Sequence, residues 1–137
     1  MTNLEQVRKA RRKETAEDFT PPVLVNEMLD KLPQEVWDNP TKTFCDPAAG
    51  NGNFLIEILK RKLAHGHNPI IALSTLFSVE LMSDNVEEMK ERLLSLIPES
   101  LHKEATKILK KNIICHDALT WDFINWKSSI IKNKKLF

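Results

Sequence analysis

The sequence predicts an α/β fold with about three parallel strands and flanking helices. Short apolar runs with turn residues directly behind them indicate buried strands, and they alternate with segments whose apolar residues recur at helical spacing. The order helix, strand, helix, strand, helix, strand favours parallel strands joined by right-handed crossovers. A chain of 137 residues has room for one domain with a modest core.

The first segment, residues 1–16, is a charged stretch with strong helical propensity and little apolar face. We interpret it as a helical arm that precedes a domain spanning residues 17–137. A solvated helix is the favoured interpretation of the arm, and contact with phosphate or a partner is the alternative. Its basic cluster consists of Arg8, Lys9, Arg11, Arg12 and Lys13.

The next elements are a helix, a strand and a second helix. Thr20 is a favourable N-cap and Pro21 suits the first helical position, so a helix is expected to begin there. Thr41–Asp46 has the pattern of a short buried strand followed by a turn. Phe54–Ala64 has one apolar helical face, and Gly66 lies where a C-terminal cap is expected.

The second half of the chain repeats this alternation. Thr75–Leu81 is predicted as the second strand, and Ser83 is expected to cap a helix that runs from Asp84 to about residue 97. A short helix follows over Leu101–Lys110, and the third strand is predicted at Asn112–Asp117.

Charge and composition exclude several classes of protein. Twenty basic and 19 acidic residues give a net charge of +1, so no global field favours nucleic acid or a membrane surface. No apolar run approaches the roughly 20 residues that span a bilayer, and the charged N-terminus is unlike a secretory signal. The two cysteines, Cys45 and Cys115, fit a reduced cytoplasmic protein better than a disulfide scaffold. Both are interpreted as core residues.

Three acids end the three predicted strands: Asp46, Glu80 and Asp117. Ligands of parallel α/β sheets bind beyond the carboxyl ends of the strands, so these acids are expected to converge on one ligand. Gly50 and Gly52 follow the first strand, where they allow unusual backbone angles and close approach of a ligand. The turn leads into a helix N-terminus, which favours negative groups.

Two pyrophosphate-binding motifs fit this turn poorly. A dinucleotide fingerprint needs a third glycine where the chain has Leu55, and its ribose acid should follow at about 20 residues. Glu80 comes 28 positions after Gly52. A phosphate-binding P-loop needs a following Gly-Lys-Ser/Thr, which the sequence lacks.

Four motifs resemble those of S-adenosylmethionine-dependent DNA adenine methyltransferases, and they stand in the same order. "DPAAGNGNF" (46–54) resembles the first motif of that family, and "FTPP" (19–22) resembles the motif that precedes it. "FSVEL" (77–81) and "CHDAL" (115–119) resemble the second and third motifs. The resemblance covers roughly residues 17–122 and implies a Rossmann-like half-sheet that binds S-adenosylmethionine.

The resemblance assigns residues to the methionine end of that cofactor. Thr20 and Pro21 are expected against the methionine carboxylate, and Asp46 near the ammonium. Three further residues offer backbone to the methionine and ribose portion: Ala48, Gly50 and Gly52.

It also assigns residues to the adenosine end. Glu80 is expected to accept hydrogen bonds from both ribose hydroxyls, which suits a carboxylate with two acceptor oxygens. Leu81 is expected to pack on the adenine face. Asp117, with Ala118 beside it, is expected to accept from the adenine amine.

The catalytic Asn/Asp-Pro-Pro-aromatic motif of the family is absent, so no catalytic residue is assigned. We expect either the N-terminal portion of a longer methyltransferase or a short chain that kept only the cofactor half. Both are expected to be inactive alone. A non-catalytic remnant that binds a partner remains open, as does, more weakly, a relative that methylates RNA or protein glutamine.

The family sheet order 3-2-1-4-5-7-6 implies that the first strand is an open edge here, which invites pairing. The expected partner is therefore a second copy of the chain or a complementing chain. DNA is expected to bind the complete enzyme and only weakly, or not at all, this chain. No membrane contact is expected.

The remaining distinctive residues receive ordinary interpretations. His65 and His67 lack neighbours at metal-ligand spacing and are interpreted as solvated, so no metal site is expected. Trp121, Phe123 and Trp126 are interpreted as core or interface residues rather than a base-stacking surface. A helical turn is expected over 121–126.

Overall fold

A computed structural model describes residues 2–15 and 19–129, including all side chains except those of residues 10–15. Arg11, Arg12 and Lys13 of the predicted basic cluster therefore lie outside the described side chains. The predicted fold class is confirmed, because three parallel strands are flanked by helices.

Helices and short strands alternate through most of the described chain. The helices are α1 (Asn3–Thr15), α2 (Pro22–Leu29), α3 (Gln34–Asp38), α4 (Asn53–Ala64), α5 (Pro69–Ser74), α6 (Ser83–Ser95) and α7 (His102–Asn112). The strands are β1 (Phe44–Asp46), β2 (Leu76–Glu80), β3 (Ile113–Cys115), β4 (Trp121–Asp122) and β5 (Lys127–Ser128). Single 3₁₀ turns occupy Glu99–Leu101 and Ala118–Thr120.

The main sheet has the strand order β1-β2-β3, with β2 in the centre. Cys45 lies opposite Phe77, and Glu80 lies opposite Cys115, so the carboxyl ends of all three strands meet at one edge. Strand β1 is shorter than predicted because its pairing with β2 begins only at Phe44. Short apolar runs predict strand positions better than strand lengths.

The two faces of the sheet are covered differently. Leu76 and Ile113 project from one face into the main core, where they join buried side chains of α4, α6 and α7. On the opposite face, the ring of Phe77 meets Trp126 of the β4-β5 hairpin at 5.1 Å between centroids. The helices therefore build the core on one side, and a small aromatic hairpin covers part of the other.

Two predicted helix starts are wrong by one residue. Helix α2 begins at Pro22, with Pro21 as its N-cap, and Thr20 makes no capping hydrogen bond. Helix α6 already includes Ser83. The predicted end at Gly66 is confirmed, because Gly66 has φ +81° and donates to the carbonyl of Leu63.

The expected helical turn over 121–126 is wrong, because these residues form most of an antiparallel hairpin. Asp122 Oδ1 accepts from the N–H groups of Ile124 and Asn125 at 3.0 Å, which closes a turn between β4 and β5. Trp126 follows with φ +55°. Local side-chain capping by Asp122 thus outweighs helical propensity.

The interpretation of the cysteines as core residues is also wrong. Both Cys45 and Cys115 are exposed, Cys45 because β1 is an edge strand and Cys115 because it ends β3. Neighbouring protein atoms desolvate the Cys45 thiol although the residue is exposed, and this desolvation, followed by the charge of Asp46, raises the pKa of the thiol.

No helix in the described residues is long and apolar enough to span a bilayer. The same part of the chain contains no cluster of three or more metal-ligating side chains. His65 is exposed and His67 is half-buried.

Candidate functional site

The predicted acids follow neighbouring strands at one edge of the sheet. Asp46 ends β1, Glu80 ends β2, and Asp117 comes two residues after the end of β3. The N–H of His116 donates to the carbonyl of Glu80 at 3.1 Å, which holds the segment after β3 beside the end of β2. All three acids therefore belong to one rim, as the sequence predicts.

The turn between β1 and α4 requires both of its glycines. Gly50 has φ +56° and Gly52 has φ +92°, a region that other residues rarely adopt. A Cβ on Gly50 would lie 2.8 Å from Cδ1 of Phe19, and one on Gly52 would lie 2.5 Å from Cγ of Met89. The turn is thus packed closely from both sides.

Glu80 binds the glycine turn and the start of α6 together. Its Oε1 accepts from the N–H of Gly50 at 3.0 Å, and its Oε2 accepts from the N–H of Met82 at 2.9 Å and from Nδ2 of Asn85 at 3.1 Å. A carboxylate has about four acceptor positions, so these bonds leave about one. Acceptance from both ribose hydroxyls stays a prediction, and it requires displacement of one present donor.

A polar cavity of ≈ 80 Å³ lies beside the turn. Asp46 borders it, and its Oδ1 accepts from the N–H of Ala48 at 3.1 Å. Burial, together with the charge of Glu80, raises the pKa of the Asp46 carboxyl. The lining residues are Phe19, Thr20, Asp46, Ala48, Ala49, Gly50, Asn51, Asn53 and Phe54.

The cavity offers hydrogen-bond acceptors to a cationic group. The Asp46 carboxylate is one acceptor. Asn51 also borders the cavity, and its Oδ1 is buried without a hydrogen-bond partner within the described part of the chain. The volume is below the range of about 300–1,000 Å³ that holds a whole small-molecule ligand. The enclosed part therefore suits an amino-acid end, and a nucleoside would extend outside it.

Residues predicted for the adenosine end lie outside this cavity. Leu81 is 59% exposed. The exposed carboxylate of Asp117 accepts from the N–H of Leu119 at 2.9 Å, and Ala118 begins the 3₁₀ turn that this bond closes. The structure thus unites Thr20, Asp46, Ala48 and Gly50 around one cavity.

The remaining predicted residues do not line this cavity. Pro21 caps α2, and Gly52 is buried at the start of α4. Glu80 is joined to the lining residue Gly50 by a hydrogen bond. Leu81 follows β2, and Asp117 and Ala118 follow β3, all outside the cavity lining.

Several residues of the site were missed by the sequence analysis. Phe19 packs on Gly50, Nδ2 of Asn53 donates to the carbonyl of Thr20 at 2.7 Å, and Asn85 binds Glu80. Phe19 and Asn53 lie within the quoted motifs "FTPP" and "DPAAGNGNF", so their position was a usable signal. Asn85 lies in the first turn of α6, where nothing in the sequence distinguishes it from a solvated residue.

No protein-family model, curated protein or solved structure matches this chain.

Proposed function

We propose that this chain is the S-adenosylmethionine-binding portion of a DNA adenine-N6 methyltransferase. The four motifs in family order support the proposal. The observation that carries it is the 3.0 Å hydrogen bond from the N–H of Gly50 to Oε1 of Glu80. This bond joins a glycine turn to the carboxylate that ends the next strand, beside a cavity bordered by Asp46.

The residues present fit the amino-acid end of this cofactor best. Asp46, which borders the cavity, would accept from its ammonium group. Asn51 also lines the cavity, and its Oδ1, which has no partner in the described part of the chain, would turn towards the same group. Glu80 would accept from a ribose hydroxyl through its remaining acceptor position. Asp117 would accept from the adenine amine and Leu81 would pack on the ring.

S-adenosylmethionine supplies a methyl group on a positively charged sulfur. Transfer of that group to adenine needs residues that hold the target amine, and the family's motif for this task is absent from the sequence. The chain's own residues bind and orient the cofactor. Methylation of DNA therefore requires that the catalytic half be supplied, and we propose the cytoplasm as its location.

Calorimetric titration with S-adenosylmethionine tests the proposal. We expect measurable binding by the wild-type chain and at least about tenfold weaker binding by Asp46→Asn, because a charge-assisted hydrogen bond to the ammonium is lost. Asp38→Asn is the matched control, since Asp38 is exposed at the end of α3. The absence of binding at millimolar cofactor, or equal affinity of wild type and Asp46→Asn, would contradict the proposal.

A second candidate function is a non-catalytic module that dimerises or binds a complementing chain. Among the described residues, β1 pairs with β2 alone, so its other edge is open. An apolar groove of ≈ 370 Å³ follows that edge. At the groove, Ile124 is 95% exposed and Phe123 is 39% exposed. An open strand edge beside exposed apolar side chains favours association.

Light scattering separates this candidate from the first. If the groove mediates self-association, Ile124→Lys should convert a dimer into a monomer without loss of fold, because the Ile124 side chain is almost fully exposed. Val23→Lys on α2 is the matched control, since Val23 is 74% exposed and does not border the groove. A wild-type monomer at high protein concentration would refute self-association.

A further inference from the structure

Helix α1 is not a solvated arm at Arg8, which corrects that part of the sequence interpretation. The Arg8 side chain is only 13% exposed, and its guanidinium contacts three residues of α6. Nε lies 3.3 Å from Oδ2 of Asp84, one terminal nitrogen lies 2.9 Å from Oε1 of Glu88, and the other donates to Oδ1 of Asn85 at 2.9 Å. Lys9, the next residue, is exposed.

One route leads from Arg8 through Asn85 to the glycine turn. Because Arg8 donates to the carbonyl oxygen of the Asn85 amide, the amide must present its Nδ2 group to Glu80. That group donates to Oε2 of Glu80 at 3.1 Å, and the other oxygen of Glu80 accepts from Gly50. Asn85 is fully buried, so this orientation is enclosed by protein.

A second route leads from Arg8 through Phe19 to the same glycine. The guanidinium carbon lies 5.4 Å from the centroid of the Phe19 ring, within the range of a cation–π contact. The Phe19 ring in turn covers Gly50 so closely that a Cβ would lie 2.8 Å from it. Arg8 thus reaches Gly50 from two directions, once through hydrogen bonds and once through an aromatic ring.

We propose that Arg8 is a positioning residue for the nucleoside-binding carboxylate, setting Glu80 through Asn85 and holding Gly50 through Phe19. The inference rests on the proposed function, because it assumes that Glu80 accepts from a ribose. A carboxylate fixed in advance accepts from a ribose hydroxyl without the cost of ordering it. The planar guanidinium fork serves several acceptors at once, which the single ammonium of lysine cannot do in the same geometry.

The test compares Arg8→Gln, Arg8→Lys and the exposed control Lys9→Gln in the full chain. Adenosine, which carries the ribose and lacks the amino acid, is the titrated ligand. We expect Arg8→Gln to weaken adenosine binding about tenfold, because the charge-assisted hydrogen bond that orients Asn85 towards Glu80 is lost. Arg8→Lys should restore little of this loss, and Lys9→Gln should bind as wild type does.

Amide hydrogen exchange of the glycines supplies a readout that a global loss of stability cannot imitate. Arg8→Gln should accelerate exchange at Gly50, whose N–H is bonded to Glu80. Exchange at Gly66, bonded to Leu63 at the far end of α4, should not change. If amide exchange in Arg8→Gln were accelerated equally at Gly50 and Gly66, Arg8 would act only on global stability, and the inference would be overturned.

The binding outcomes separate this inference from the proposed function. If the wild-type chain binds adenosine and Arg8→Gln binds it with the same affinity, the positioning role of Arg8 is overturned and the proposed function is not. A wild-type chain that binds no adenosine at millimolar concentration also overturns the positioning role, since there is then no nucleoside site for Arg8 to serve. The proposed function is overturned separately, by the absence of S-adenosylmethionine binding.

Discussion

Glu80→Gln is the substitution whose effect on stability follows most directly from the geometry. Both oxygens of Glu80 accept hydrogen bonds. Oε1 accepts one, from Gly50, and Oε2 accepts two, from Met82 and Asn85. A glutamine has a single acceptor oxygen, so in either orientation its amide group points an N–H at a donor. The better orientation keeps the two bonds of Met82 and Asn85 and loses the bond of Gly50.

The magnitude can be worked from these three bonds. An N–H group left without a partner in a buried site costs about 1–3 kcal/mol. The two retained bonds lose their charge assistance, which is worth about half of each bond. We therefore expect Glu80→Gln to lower the free energy of unfolding by about 2.5–6 kcal/mol. For a chain of this length, that corresponds to a fall in the melting temperature of roughly 10–20 °C.

Thermal and urea unfolding followed by circular dichroism measure this change. The matched control is Glu87→Gln, because the Glu87 side chain is 72% exposed on α6 and its Oε1 lies a long 3.9 Å from Nζ of Lys90. The control should alter the free energy of unfolding by less than about 0.5 kcal/mol. Equal stability of wild type and Glu80→Gln would refute the view that this carboxylate holds the turn.

Two further substitutions test the turn itself. Asp46→Asn should raise the free energy of unfolding at neutral pH, because burial and then Glu80 raise the pKa of that carboxyl. The native state holds the Asp46 proton to higher pH than the unfolded chain does. The protonated Asp46 carboxyl therefore stabilises the native state in acid, and this contribution is lost as pH rises through the native pKa. In urea unfolding at several pH values, the stability advantage of Asp46→Asn over wild type should shrink on acidification. An advantage that grows in acid would contradict the raised pKa. Gly52→Ala should destabilise by about 2–4 kcal/mol, since it adds overpacking against Met89 to a left-handed backbone. Gly66→Ala, with φ +81° and open space around it, should cost only about 1 kcal/mol in the same assay; equal costs would exclude packing as the cause.

The sequence was a good guide to the strands and to the rim they form. Asp46 and Glu80 end their strands as predicted, because short apolar runs followed by turn residues are local signals. The glycine turn was equally readable, since residues other than glycine rarely adopt the positive φ angles of Gly50 and Gly52.

What the sequence could not supply depends on contacts between distant residues. Arg8 and Asn85 are separated by 77 positions, and nothing local indicates that they meet. Cys45 was misjudged because its exposure depends on which strand forms the edge of the sheet, a property of the whole topology. The hairpin at Asp122 was missed because its turn is closed by side-chain bonds that compete with helix formation.

The central claim is that a sulfonium nucleoside binds at the glycine turn, and the chain's three glycines allow a direct test. Labelling glycine alone with ¹⁵N gives separate amide signals for Gly50, Gly52 and Gly66. On titration with S-adenosylmethionine, the signals of Gly50 and Gly52 should shift and saturate, while that of Gly66 stays in place. Unchanged signals from Gly50 and Gly52 at millimolar ligand, or an equal shift at Gly66, would contradict the account.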